Sequence, residues 1–409
     1  MSLLFRMRII PEGPMTIKLS AALLFVCVPA FAQENPFTKP GPAPKIEPKP
    51  ASAKVEPYIE LFRPTFKLPI MQIQVDDDNL RLLNKDPKKY VRCTLTVDGK
   101  KYRDVAIHLK GAVGSFRNWN DKPALTLNID KFVHDQKFMG LDKFHLNNSA
   151  QDGSYMNELT GSLMASALGV PTARTTHAIV ELNGRKVGLY VLKEGYNGTF
   201  IEHNFPNGTK GNLYDGGFCQ DIDANLKLDR GDDIKWEDLK PIRAACNIKG
   251  DAAKRYEAVE NLVDVDAFVR DAALQIFMCD WDGYMRNRNN YRVYIPTGAK
   301  AIFIPHGMDQ EFQNPNEGLW PGWGGMVARA ILESPEGKKK LIAALKEIQE
   351  VHATPEFLKL LGEYSARTRD GLAAHNKDWL KNFENESRQQ AERVKQRIAY
   401  LTKELPKLK

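Results

Sequence analysis

The sequence predicts an α+β fold in which strand hairpins lead and helices close the chain. Three observations predict it. Segments 67–75 and 91–97 alternate apolar and polar residues, as half-buried strands do. Asp98-Gly99 and Asn183-Gly184 each join two such segments, and these dipeptides favour tight hairpin turns. From residue 336 onward the chain becomes Glu/Lys-rich with helical spacing, as in 338–350 and 386–405. Strands followed by helices make the two layers segregate.

The elements follow in order. Lys18 precedes an apolar run from Leu19 to Val28, then Pro29 and Ala30-Phe31-Ala32. A basic start, a short apolar core and an A-x-A end predict a secretory signal peptide over residues 1–32. The run is shorter than the ~20 residues a bilayer span takes. Met15 reads as the natural start, because Pro11, Glu12 and Pro14 do not suit the front of a signal. Residues 33–57 carry proline every few positions and read as an extended linker. The expected location is therefore extracytoplasmic (periplasm, cell surface or secreted), with no transmembrane segment in the mature form.

The folded part reads as a core over residues 58–335 and a helical part, 336–409, of the same domain. After the 91–97 and 101–110 hairpin comes a strand at 124–129. A helix is predicted over 154–168, capped by Asp152 or Ser154 and stopped by Gly169 and Pro171. Strands 176–182 and 187–193 form the Asn183-Gly184 hairpin. Residues 204–245 are polar and irregular. A second helix spans 265–278, capped by Asp264, and a hairpin joins 291–295 to 300–304.

With 43% apolar and 27% charged residues in 409, the chain has the profile of a soluble globular protein. A net charge of +7 suits a phosphate-bearing ligand. No Lys/Arg block or basic-aromatic stripe appears, so nucleic acid is not an expected partner. Cys93, Cys219, Cys246 and Cys279 remain once Cys27 leaves with the signal. An oxidising compartment allows disulfides, and Cys219 and Cys246 flank one polar insertion, so these two are the expected pair. The alternative is four buried free thiols.

The richest chemistry lies in 279–294, between the second helix and a strand. Asp280, Asp282, Asn287, Asn289 and Asn290 crowd one loop, and Asp309 and Glu311 follow the next hairpin. Carboxylate and amide oxygens can hold Mg²⁺, and a carboxylate can take a proton from a hydroxyl. Kinases space a catalytic Asp five residues before a metal-binding Asn, then a strand pair, then a metal-binding Asp. Asp282, Asn287 and Asp309 follow that order. The alternative is a tight loop whose Asp and Asn side chains only cap it.

A second constellation is the turn Lys110-Gly111-Ala112-Val113-Gly114-Ser115, with Arg117 and Lys122 after it. Such a turn can offer backbone N–H groups and positive charge to phosphate. An ordinary hairpin tip is the alternative. Glu158, on the first helix, can pair with a phosphate-holding lysine or simply favour the helix N-terminus. Glu194, at a strand end, can be a hinge touching a base or a surface residue. His306 reads as a packed histidine, and 321–325 as a flap or a plain surface loop.

These segments, with Gly140–Asn148, Gly169-Val170-Pro171, Asn183–Tyr190, Gly211–Tyr214, Trp281–Tyr284, Asn290-Tyr291 and Ile304-Pro305, resemble the CotH (spore-coat protein H) kinase-like family over residues 65–335. The resemblance implies an atypical protein-kinase-like core that binds ATP with Mg²⁺ or Mn²⁺ and phosphorylates a protein substrate at the cell surface or beyond. It implies Asp282 as catalytic acid and Asn287 or Asn290 as metal ligand, and it includes the Lys110–Ser115 turn with Lys122. Lys110, Gly111, Gly114, Ser115, Lys122, Glu158 and Glu194 are the residues expected around the nucleotide. The family's metal acid follows Ile-Pro-Trp directly, whereas here His306 and Gly307 occupy those places and Asp309 stands two residues on. Two other readings stay open: a non-catalytic pseudokinase on the same scaffold, and a Ca²⁺- or carbohydrate-binding module built on the Asp-rich stretch 215–233.

Overall fold

The computed structural model describes residues 57–408. The signal-peptide, Met15 and Cys27 readings, and the linker up to residue 56, lie outside the described residues.

A short helix, α1 (Pro57–Leu61), leads to β1 (Ile70–Gln74), α2 (Asp77–Lys85), β2 (Val91–Val97), β3 (Lys100–Lys110), β4 (Ala124–Asn128) and β5 (Lys143–Asn147). After α3 (Asn157–Ala167) come β6 (Thr175–Leu182) and β7 (Arg185–Glu194). These seven strands close a barrel in the order β1-β2-β3-β4-β5-β7-β6, sealed by the parallel register Ile70↔Ile179 to Ile73↔Leu182. Closure leaves no sheet edge exposed. Alternate residues fill the interior, among them Ile73, Leu95, Ile107, Leu127, Phe144, Val180 and Leu192.

The chain continues through α4 (Gly198–Asn204), β8 (Gly211–Asp215), β9 (Lys227–Arg230), α5 (Leu239–Cys246), α6 (Ala252–Glu260), α7 (Val265–Met278), α8 (Tyr284–Asn287), β10 (Tyr291–Pro296) and β11 (Ile302–Pro305). A second sheet has the order β11-β10-β8-β9. Then α9 (Met326–Leu332), α10 (Pro335–His352), α11 (Pro355–Ala373) and α12 (Lys377–Glu404) complete the molecule. The centre of this half is α7. It is apolar on nearly every face, which a helix tolerates only when surrounded. Its N-cap is Asp264, whose carboxylate accepts from the Ala267 N–H at 3.0 Å, as the sequence predicts. No described helix is long and apolar enough to cross a membrane.

The structure corrects three expectations. The 154–168 helix begins at Asn157, because Asp152 and Ser154 fold into a turn before it. The Asp152 carboxylate accepts the Ser154 N–H at 2.9 Å and the Asn157 N–H at 3.0 Å. The stretch 204–245, expected to be irregular, contains β8, β9 and α5; their spacing was hidden by Gly and Asp that serve turns. Cys219 and Cys246 are not joined, and all four described cysteines are free thiols. Cys246 packs against the helical core, and burial pushes its thiol up to about 12.

Candidate active site

The site is built where the two sheets and α3 meet. The α7 helix ends at Cys279, which turns left-handed at φ 56°, and releases the loop that carries Asp282. Three amides hold that carboxylate. Asn289 and Asn290 donate to one oxygen at 3.0 Å each, and Asn287 donates to the other at 3.3 Å. Beneath it, the Asp280 carboxylate accepts the Asp282 N–H at 2.9 Å. Asp280 is buried, which pushes its carboxyl up to about 7. The crowding of Asp and Asn in the sequence is thus a cradle for one carboxylate.

The β10–β11 hairpin returns the chain to that cradle. Its register pairs Tyr291 with Pro305, and the His306 N–H donates to the Asn290 carbonyl at 3.0 Å. Asp309 therefore emerges beside Asn290 and lines the same cavity as Asp282, about 390 Å³ in volume. Burial pushes Asp309 up to about 7, helped by Glu158 and Asp152 and opposed by Lys110 and Lys193. Glu311, buried two residues on, is pushed well above the carboxylate range by burial and then by Asp280.

Opposite stand the cations. The Lys110 ammonium donates to Asn147, whose amide donates to Glu158. Glu158 also pairs directly with Lys193, both side chains being buried. Burial pulls Lys110 down to about 8, against the pull of Glu158. Burial drives His306 well below the usual histidine range, followed by the Arg292, Lys193 and Lys110 charges.

The turn after Lys110 is a packed object. Gly111 has φ +104°, and a Cβ there would lie 3.0 Å from the Phe116 backbone. Asn148 donates to the Ser115 carbonyl at 2.9 Å and to the Lys122 carbonyl at 2.8 Å. Arg117 spends its guanidinium on the Gly114 and Phe116 carbonyls, at 3.0 and 2.8 Å.

Of the residues the sequence singled out, Lys110, Gly111, Ser115, Asp282, Asn290 and Asp309 line one cavity. Asn289 and His306 line it as well; Asn287, Gly114, Glu158, Lys122 and Glu194 do not. Asn287 acts on Asp282 alone. Gly114, at φ +84°, faces Gln151. Glu158 stands behind the cavity, joined to it through Lys193 and Asn147. Lys122 bonds the Tyr155 hydroxyl and lies 4.6 and 5.2 Å from the Tyr155 and Tyr190 ring centres. Glu194 is buried, accepting from the Tyr58 hydroxyl and from the Arg174 N–H at 3.1 Å, which ties α1 to the barrel. The 321–325 segment is pinned to the Asp282 loop, with the Gly324 N–H 2.7 Å from the Met285 carbonyl. In the Asp-rich stretch, Asp215 and Asp229 pair with Arg292 at 3.2 and 3.1 Å, and Asp221 and Asp233 accept from Tyr284 and Tyr214. Among the described residues no three His, Cys, Asp or Glu side chains form a metal nest.

Sequence reasoning missed Lys193, Asn147 and Arg292. Lys193 had a local signal: a charge directly after the apolar run Tyr190–Leu192, on a strand buried along its last seven residues.

A carboxylate cradled in an Asn-rich loop, a buried Lys–Glu pair and a second carboxylate beyond a hairpin are the parts of a kinase-like protein. The chain belongs to the CotH kinase protein family, whose model matches residues 107–402. It is 23% identical over 368 residues to the inner spore coat protein H of Bacillus subtilis (strain 168), covering 82% of this chain and 96% of that one. Among solved structures, the Helicobacter pylori proinflammatory kinase CtkA aligns over 74% of this chain and 97% of its own, with 9% identity and a TM-score of 0.35. The HipA, HipB and operator DNA complex of Shewanella oneidensis MR-1 aligns over 83% and 74%, with 11% identity and a TM-score of 0.31.

Proposed function

We propose that this chain is an extracytoplasmic phosphotransferase that moves phosphate from ATP to a hydroxyl of a protein substrate, with Mg²⁺ or Mn²⁺. The observation that carries the reading is the shared cavity, in which Asp282 and Asp309 face the same space as Lys110 and Lys193. Phosphoryl transfer needs little covalent chemistry from a protein; it needs positioned charge. The donor set fits the cation. Carboxylate and amide oxygens are hard ligands, and with too few carboxylates for a nest of their own, phosphate oxygens would complete the shell, as Mg²⁺ sites commonly require. Asp309 and Asn290 would hold the ion, which when bound neutralises phosphate charge.

Asp282 orients the acceptor hydroxyl and takes its proton as the hydroxyl oxygen bonds to the γ-phosphorus of ATP, the bridging P–O bond breaks and ADP leaves with that bond's electron pair. The three Asn amides fix the carboxylate in place. Lys110 and Lys193 face the phosphate oxygens, and Glu158 holds both lysines in place. The apolar run before residue 32 and the coat-protein name of the Bacillus relative support a location outside the cytoplasm.

A specific observation favours a second reading, a pseudokinase. Gly307 stands where the family carries its metal acid, and at φ +66° a Cβ there would lie 2.6 Å from the Asn290 amide oxygen. The two readings part on radiolabelled ATP transfer by wild type, Asp282→Asn and Asp309→Ala. Phosphotransfer predicts a loss of roughly 10²–10⁴ in Asp282→Asn, the usual worth of a general base. It also predicts ATP-plus-Mn²⁺ thermal stabilisation that Asp309→Ala abolishes. Equal incorporation by wild type and Asp282→Asn would sink it.

A further inference from the structure

We infer that Arg397, on α12, is a positioning residue for the loop that carries Asp282, so that the C-terminal helix is a working part of the site. Its meaning for catalysis rests on the phosphotransfer reading; its geometry does not.

Arg397 is fully buried, and among the described residues its guanidinium has no carboxylate partner. Each of its three nitrogens instead reaches a backbone carbonyl. Nε donates to Phe277 at 3.1 Å and Nη2 to Ile276 at 2.6 Å. Nη1 donates to Pro315 at 3.2 Å and Glu317 at 2.5 Å. Ile276 and Phe277 lie in the last turn of α7, where helix carbonyls run short of i+4 partners and the dipole is negative; the Ile276 carbonyl also accepts the Cys279 N–H at 3.2 Å. The rest of that end is also accounted for. The Asp280 N–H takes the Gln275 carbonyl at 2.8 Å, and the Phe312 N–H takes that of Met278 at 2.7 Å. The arginine charge is therefore balanced by oriented peptide dipoles.

The second pair of carbonyls belongs to the segment between Asp309 and α9. From there the Glu317 carboxylate reaches Arg286 at 2.7 Å, on α8 inside the loop. Loop 279–290 is thus held at its root by Arg397 directly, and at its middle through Glu317 and Arg286. Asp282 lies between the two anchors. A planar guanidinium has donors on two edges and can bridge two backbone segments at once; an ammonium on a flexible stem cannot reproduce that.

The test uses the full chain, comparing wild type with Arg397→Lys and with Arg286→Gln, whose side chain is partly exposed. Amide hydrogen exchange read by mass spectrometry is expected to rise at least about ten-fold within 279–290 in Arg397→Lys, while 265–275 and 124–128 keep wild-type protection. Arg286→Gln is expected to speed exchange at 284–290 only. In the transfer assay, Arg397→Lys is expected to lower kcat about ten-fold or more and leave KM for ATP within about two-fold. Wild-type exchange in both variants, or a uniform rise across the domain, overturns the assignment. A wild type that transfers no phosphate ends the phosphotransfer reading, and the exchange pattern alone then decides whether Arg397 positions the loop.

Discussion

Lys193 and Glu158 form an ion pair whose side chains are 4% and 2% exposed. Taking two charges out of water costs several kcal/mol each, repaid only while both remain and are hydrogen-bonded. Asn147 supplies the extra bond to Glu158. Glu158→Gln strands the Lys193 ammonium and is expected to cost about 3–5 kcal/mol in urea denaturation, whereas adding Lys193→Met recovers most of it. The pH dependence follows from both shifts. Burial pushes Glu158 up, but the Lys193 and Lys110 charges outweigh it and leave its folded pKa below the ordinary value. Its contribution is therefore full above the ordinary carboxylate range and lost as pH falls through the lowered folded value. Burial pulls Lys193 down, but Glu158 outweighs it and leaves the folded pKa raised. That contribution is full below the ordinary lysine range and lost as pH rises through the raised value. The stability gap between wild type and the double variant is thus expected to stay flat across neutral pH and to narrow only at both extremes.

Among the elements, the β10–β11 hairpin does most to assemble the cavity, because one short turn sets Asn290, His306, Gly307 and Asp309 side by side. Its position was legible: 291–295 and 300–304 were read as strands, and Tyr291–Pro296 and Ile302–Pro305 are. The β6–β7 hairpin and the N-cap of α7 were legible for the same reason, since Asn183-Gly184 and Asp264 act on their own neighbours. What escaped is what local chemistry cannot encode. Barrel closure pairs Ile70 with Ile179, across more than a hundred residues and in parallel. Lys193 finds Glu158, and Arg292 finds Asp215 and Asp229, only after folding. Lys122 and Glu194 had plausible spacing, yet face tyrosines. The hairpin carries its own prediction at Gly307. With φ +66° and a Cβ 2.6 Å from the Asn290 oxygen, Gly307→Ala is expected to cost about 1–3 kcal/mol of thermal stability. Adding Asn290→Ala relieves the contact and leaves the backbone strain, so it should recover only part. A fully neutral Gly307→Ala would mean that Asn290 swings clear of Asp282 without penalty.

At the scale of the whole molecule, the barrel interior and the helical core are separate clusters, and a third cluster bridges them. Leu159 of α3, Ile179 and Leu189 of the barrel, Tyr364 and Leu372 of α11 and Phe383 of α12 pack together there. Polar ties run the same way. The Tyr364 hydroxyl donates to the Phe62 carbonyl at 2.5 Å, Arg367 to Thr176 at 2.7 Å and Gln390 to Thr160 at 3.3 Å. The last two helices therefore brace both halves, consistent with a family match that runs to residue 402. Phe383, Val394 and Leu401 of α12 are buried to within 2%. Each is worth about 1.5–3 kcal/mol against exposure, so the three together approach the whole stability of a typical domain, about 5–15 kcal/mol. Two outcomes follow for urea titrations followed by far-UV circular dichroism and by the fluorescence of the six tryptophans, among them Trp119 in the barrel and Trp379 on α12. The full chain should show one coincident transition, and a chain ending at residue 376 should show no cooperative transition. Separate midpoints in the full chain, or native-like unfolding of the shortened one, would mean that the two halves stand without the brace, and that Arg397 holds the Asp282 loop from a helix the fold can spare.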